Sequence, residues 1–262
     1  MMSQTKNKKY FFLLLFIFPV SLPAFDHDHS EYDQLLSEVV ITRDVQTDVD
    51  YARLKFQQDR LDDYLTSLEA VTAQEYQSWN KDQQLAFLIN AYNAFTLKLI
   101  VMNYPGISSI RDLGGLIFSS PWERKFFTLF GNESSLDYIE HKIIRKDFDE
   151  PRIHFAVNCA SRGCPPLQPE AFSSGKLEQQ LEQATRQFLK DRERNRYDKD
   201  RKILEISSIF KWYKADFEKA SGTIEKFIAP YITDDPEIRT LIENRAAGVK
   251  YLEYDWSLND KK

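Results

Sequence analysis

The chain is short of the residues that usually announce chemistry. Its 262 residues include two cysteines, four histidines and eight glycines. Two cysteines exclude a multiply bridged scaffold, and together with so few histidines they lack the paired spacing of a structural zinc site. Scarce glycine, with no recurring period of roughly 20–50 residues, argues against a solenoid or a propeller. Basic charge is in deficit as well. Lysine and arginine number 35 against 40 aspartates and glutamates, a net charge of −5. That leaves no electrostatic footprint for nucleic acid. No linker divides the chain either. What is present is a composition 42% hydrophobic and 14% aromatic, which specifies a folded domain with an aromatic-rich core.

Residues 1–24 read as a signal peptide. Lys6, Lys8 and Lys9 precede the apolar FFLLLFIFPV, and SLPAF offers a cleavage point after Ala24, with Leu22 an imperfect residue at its −3 position. The apolar run is short for a bilayer span, and no cysteine follows it to take a lipid. An uncleaved anchor is the competing reading. The expectation is a periplasmic or secreted protein with no stable membrane span after cleavage. Its single globular domain covers residues 25–262, and its thiols meet an oxidising compartment. Next come His27 and His29 around Asp28. No third ligand accompanies them, so they read as part of a solvated, mobile terminus. No metal and no cofactor is expected.

Residues 30–80 read as helices with polar outer faces. DQQLAFLINAYNAFTLKLIVM is apolar almost all round, which predicts a buried central helix capped by Asp82 and ended by Pro105 and Gly106. Asn90 and Asn93 share one face of it. A buried amide costs about 1–3 kcal/mol unless its hydrogen bonds are made, so the pair marks either a site or a fastened loop. Residues 107–124 read as loop and KFFTLF as a strand. SSLD is a capping pattern that opens a helix through LDYIEHKIIRKDF. At about 100° per residue, Glu140 falls inside the apolar arc set by Leu136, Ile139 and Ile143, and His141 falls at its edge. A buried glutamate needs a partner. RIHFAVN then reads as a strand and CASRGCPP as a loop. LEQQLEQATRQFLKDRERN reads as an amphipathic helix, RYDKDRK as a turn and KILEIS as a strand. Three further helices and a final strand, VKYLEYDW, complete one α+β domain. In it a helical amino-terminal part packs on a small antiparallel or mixed sheet.

The stretch IHFAVNCASRGCPPL, residues 153–167, holds both cysteines and His154. A thiol nucleophile needs a base and a group to orient that base. Cys164 or Cys159 with His154 and Glu140 is the most economical such set, Asn90 or Asn93 being alternative orienters. On an extended strand His154 and Cys159 would lie about 16 Å apart on opposite faces. Cys164 is freer. It also precedes Pro165, a residue suited to a first helical position, and a thiol at a helix start has a lowered pKa. It therefore ranks ahead of Cys159. A Cys159–Cys164 disulfide remains open beside the catalytic thiol, and so do two inert thiols.

AFLINAYNAFTLKLI, SSLDYIEHKIIR, EPRIHFAVNCASRGCPPL, FKWYKADF and YLEYDWSLN together resemble the domain of unknown function 547 family, from about residue 80 onward. The family occurs in exported bacterial proteins and, in plants, after leucine-zipper-like segments. This chain has no coiled-coil extension. The resemblance brings no established reaction. It points to Asn90, Asn93, Glu140, His141, Arg145, His154, Cys159, Cys164 and Pro165 as the positions of interest. A thiol–histidine–acid site would be similar to the papain-like and transglutaminase-like enzymes, an analogy of residue types.

Two functions follow as expectations. One is an exported cysteine-dependent hydrolase or acyltransferase acting on amide or peptide-type bonds. Cys164 or Cys159 attacks, His154 is base and acid, Glu140 orients it, and Asn90 or a loop amide holds the oxyanion. The other is a non-catalytic envelope binding module pinned by a Cys159–Cys164 disulfide. In that case Trp122, Trp212 and Trp256 line a peptide or glycan groove, though such residues more often build core. An adaptor acting through charged runs such as KDRERNRYDKDRK is the weakest reading. The substrate is a peptide, a small molecule or an envelope component.

Overall fold

A computed structural model describes residues 24–115 and 120–261. The signal-peptide reading of residues 1–24 lies almost wholly outside the described residues.

The amino-terminal half is a helical layer. Helix α1 (Ser30–Val39) runs into an antiparallel hairpin of β1 (Val40–Arg43) and β2 (Gln46–Val49). The hairpin corrects the all-helical reading of residues 30–80. Val39, Val40, Ile41 and Thr42 are a β-branched run, and Asp44 takes a left-handed conformation in the two-residue turn. Helices α2 (Tyr51–Phe56), α3 (Gln58–Ala70) and α4 (Ala73–Ser78) follow.

Helix α5 (Lys81–Val101) is the buried central helix. It is long and apolar enough to cross a membrane by composition, but 94% of its most apolar window is covered by the rest of the protein. Its cap is Asn80 rather than Asp82. The Asn80 side chain accepts from the Gln83 amide, and Gln83 returns the bond to the Asn80 amide.

A second hairpin, β3 (Phe127–Leu129) with β4 (Asn132–Ser134), leads into the helix that carries Glu140. Ser135 caps it by accepting from the Tyr138 amide. From Tyr138 to Ile144 the turn widens to a π-helix, and the short α6 (Arg145–Asp147) closes it. The stretch expected as a strand at RIHFAVN is instead a 3-10 helix, Pro151–Phe155. Pro151 presets the first helical position, and the Glu150 side chain accepts the Arg152 amide. Because IHFAVN is buried throughout, its hydrophobicity has no period to separate strand from helix.

The carboxy-terminal half adds α7 (Leu177–Lys190) and a three-stranded sheet of β5 (Arg196–Asp198), β6 (Ile203–Ser207) and β7 (Gly248–Leu252). β5 pairs antiparallel with β6, so part of the expected RYDKDRK turn is strand. β7 runs parallel to β6. A parallel neighbour needs a crossover. Helices α8 (Ile209–Trp212), α9 (Lys214–Ser221), α10 (Ile224–Ile232) and α11 (Pro236–Glu243) supply it.

The fold is α+β with two apolar clusters. One gathers on α5 and the amino-terminal helices, the other on α7, β6 and α8–α10 around Phe155. His154 and the cysteine loop sit where these clusters meet. His27 and His29 do not form the mobile terminus expected. His27 packs edge-on to Trp79, and His29 is buried with Nδ1 2.7 Å from the Tyr64 hydroxyl.

Candidate functional site

The site is built on three supports. The first is α5. Asn93 Nδ2 donates to the Ala156 carbonyl at 2.9 Å, and Asn93 Oδ1 accepts the Asn158 amide at 2.8 Å. Asn90 does the same for Phe172, donating to its carbonyl and accepting its amide. Both amides are buried and fully used as loop fasteners. That places Asn90 away from an oxyanion role and both asparagines away from His154 as orienters. Asn158 continues the framework, donating to the Pro165 carbonyl and accepting the Ala160 amide.

The second support is the cysteine loop itself. Cys159 and Cys164 form a disulfide, with Cα atoms 6.1 Å apart and no free cysteine left. The Cys159 amide donates to Cys164 Sγ at 2.8 Å, and Cys159 Sγ lies 3.2 Å from the Tyr254 hydroxyl. No helix begins at Pro165; the next one starts at Leu177. The helix-start activation expected for Cys164 is therefore absent. Gly163 threads against the chain after β7. A Cβ there would lie 2.9 Å from the backbone nitrogen and oxygen of Asp255.

The third support is the pair of helices that face the imidazole. His154 Nε2 lies 2.7 Å from Asp216 Oδ2 on α9. An ionised carboxylate only accepts, so Nε2 carries the proton and donates. Burial would raise the Asp216 carboxyl, but hydrogen bonds from His154 and Arg145 outweigh it and hold the group well below the usual carboxylate range. Arg145 grips Asp216 through Nε at 2.6 Å and Nη2 at 3.0 Å, and donates to His141 Nδ1 at 2.8 Å. Burial keeps the His154 imidazole below its ordinary pKa, against the pull of Asp216 and Glu140. Its ring stacks on Tyr213 with centroids 3.7 Å apart.

Glu140 is buried, as its place in the apolar arc implies, with only 4% exposed. It does not bond His154. Glu140 Oε1 lies 3.9 Å from His154 Nδ1, and neither atom has a hydrogen-bond partner among the described residues. The Tyr92 and Tyr213 phenols lie near the Glu140 carboxylate. Burial, with that carboxylate, pushes both phenols far above their ordinary pKa, so they remain donors. The π-turn fixes this arrangement, because the Arg145 amide reaches back to the Glu140 carbonyl.

These groups line one cleft. Glu140, His154, Cys159 and Cys164 share it with aromatic walls from Trp122, Trp212, Tyr213, Tyr254 and Trp256. Trp212 stacks on Trp256 with centroids 5.7 Å apart and meets Tyr254 at 4.8 Å. Across the cysteine loop lies a second hollow, in which Arg162 pairs with Asp48 while Arg194 pairs with Asp191 outside its lining. Sequence reasoning missed Asp216 and the tyrosines. Asp216, Tyr213 and Tyr254 lie in FKWYKADF and YLEYDWSLN, segments that carry the family resemblance, but nothing local assigns them to the site until the fold sets α9 against the 3-10 helix, 62 positions away.

Residues 76–189 match a family model described as "Protein of unknown function, DUF547". The match identifies a DUF547 segment within the chain. The matched span includes α5, Glu140, His154 and both cysteines, and the DUF547 segment thus supplies the loop and its fasteners. Asp216, Tyr213 and Tyr254 lie beyond it. No curated protein and no solved structure matches the chain.

Proposed function

We propose that the protein is an exported, non-catalytic binding module of the cell envelope, its aromatic cleft being the ligand site. The observation that carries this reading is the Cys159–Cys164 bond. It engages both sulfurs that line the cleft and leaves no thiol to act as nucleophile. The walls then supply what a recognition groove needs: broad, rigid aromatic faces over a few fixed polar groups. Export is supported by the basic and apolar opening of the chain and fits a disulfide kept in an oxidising compartment. The test is a titration of the native, non-reduced protein with envelope peptides and glycan fragments, read by tryptophan fluorescence. A saturable change that Trp212→Ala weakens at least tenfold supports the module. A full set of such fragments without any saturable change overturns it.

One observation favours a second reading, the cysteine-dependent hydrolase or acyltransferase acting after reduction of the bond. Asp216 holds His154 in a tautomer whose Nδ1 is unpartnered, as a general base requires. In that reading Asp216, not Glu140, orients the base. The sulfur attacks the acyl carbon, and His154 takes the thiol proton and passes it to the leaving amine. Reduced protein that hydrolyses an activated ester or amide, with loss in both Cys164→Ala and His154→Ala, supports it. Equal rates in reduced wild type and both variants dismiss it.

A further inference from the structure

Glu140 Oε1 and His154 Nδ1 are two buried acceptors that face each other across 3.9 Å, with no donor to either among the described residues. The asymmetry is built in. Asp216 takes the only proton of the neutral imidazole at Nε2, so Nδ1 presents a lone pair. The Glu140 carboxylate lies near the Tyr92 and Tyr213 phenols, yet its Oε1 has no hydrogen-bond partner among the described residues. Leaving such groups buried and unpaired is costly. A group with several N–H donors, placed within reach of both, recovers that cost.

The surroundings choose the charge of that group. Among the described lining residues no lysine or arginine appears, whereas the carboxylates Glu140 and Asp137 do, the latter 3.5 Å from His141 Nε2. Two guanidiniums lie against the aromatic walls of the cleft: Arg145, spent on Asp216, over the Tyr213 ring at 5.2 Å, and Arg111 over the Trp256 ring at 5.2 Å. The cleft is lined by Trp212, Tyr213, Tyr254 and Trp256, and aromatic π faces attract a cation. A quaternary ammonium has no donor for the two acceptors, whereas a primary ammonium has three.

On the binding reading above, we infer that the cleft seats a primary alkylammonium group of the lysine side-chain type, with its nitrogen between Glu140 Oε1 and His154 Nδ1. The slender alkyl stem lies along the aromatic walls, and Asp216 acts as the positioning residue that keeps Nδ1 an acceptor.

The experiment is a titration of the full chain with Nα-acetyl-lysine amide, followed by tryptophan fluorescence and by the ¹⁵N resonances of His154. The Nε-acetylated derivative and glucosamine serve as comparison probes. The expected result is saturable binding with a shift at His154 Nδ1, at least tenfold weaker binding of both comparison probes, and at least tenfold loss in Glu140→Gln with the fold retained by circular dichroism. The probe comparison in wild type stands even if that variant does not fold. The inference is overturned by equal affinity for the acetylated probe or for glucosamine, by an unmoved His154 Nδ1, or by no binding of the lysine derivative. An uncharged envelope fragment that binds, is weakened by Trp212→Ala and is not displaced by the lysine derivative overturns the ammonium seat while keeping the binding module.

Discussion

His154 and Asp216 meet at 2.7 Å, Nε2 to Oδ2, across the seam between the two apolar clusters. The same carboxylate takes two bonds from Arg145, so one aspartate on α9 ties the 3-10 helix to α6, the turn that closes the π-helix. Asp216→Ala strands an imidazole N–H and a guanidinium. Its expected cost is about 2 kcal/mol, the penalty for leaving buried donors unpaired. A urea midpoint measures it. The ¹⁵N spectrum of His154 in the same variant should show the proton no longer confined to Nε2. An unchanged tautomer in Asp216→Ala would remove the positioning role.

His29 gives a pH prediction with a definite sign. Burial depresses its imidazole from 6.5 to about 4. The folded state therefore holds it neutral where the unfolded chain protonates it near 6.5. A group of this kind contributes stability that is present above the unfolded pKa and is lost as pH falls from there toward the folded value. Stability should drop by about 3 kcal/mol between pH 6.5 and pH 4 from this residue alone. His29→Asn, which suits the left-handed backbone at this position, should flatten the slope of denaturation midpoint against pH in that window.

The disulfide is a short clip, five residues apart in sequence. On the chain-entropy account a loop of this size contributes about 2 kcal/mol. Reduction, or the Cys159→Ser, Cys164→Ser pair, should lower the unfolding free energy by that amount without loss of the fold. The Asn93 and Asn158 bonds, which fix the same loop, do not depend on the sulfurs. Denaturation with and without reductant checks it, and complete unfolding on reduction would show that the clip carries far more.

How much of this was legible in the sequence depends on where each signal resides. Local, periodic signals read correctly. The apolar α5, the capped helix before Glu140 and the inward placing of Glu140 all follow from turn-by-turn geometry. Non-periodic, wholly buried stretches did not. IHFAVN is a 3-10 helix because Pro151 and the Glu150 side chain start one, and hydrophobicity alone carries no trace of that. The partners of the site were the least legible. Asp216 and Tyr254 reach it only through the crossover that makes β7 parallel to β6. A pairing across 62 or more positions leaves no mark on either local segment. The hairpin at Val40–Val49 is a different case: its β-branched run was present and was outweighed by the helical pattern on either side.

Gly163 is the one glycine whose missing side chain the site requires. A methyl there meets the Asp255 backbone and Tyr254 Cδ1 at 2.9 Å, and the Gly163 amide donates to the Asp255 carbonyl at 2.7 Å. Backbone cannot step aside as a flexible side-chain end can. Gly163→Ala should therefore cost about 1–3 kcal/mol and push Tyr254 away from the sulfur it touches. Thermal denaturation reads the first effect. A changed tryptophan spectrum, through Trp212 and Trp256 beside Tyr254, reads the second.

Asn93 offers the sharpest separation of a fastener from a reacting group. Its amide satisfies one buried acceptor and one buried donor of the loop that carries His154 and Cys159. Asn93→Ala leaves both unpaired, an expected loss of about 3 kcal/mol. Asn93→Asp keeps the acceptor for the Asn158 amide but sets a carboxylate against the Ala156 carbonyl, so it should fare no better. The local signature is hydrogen exchange. The Asn158 amide should be protected in wild type and in Asn90→Ala, whose broken bonds lie at Phe172 instead. It should exchange at least tenfold faster in Asn93→Ala. An Asn158 amide equally protected in both variants would mean that the loop is held by the disulfide and Asn158 alone, and that the α5 face plays no part in placing the site.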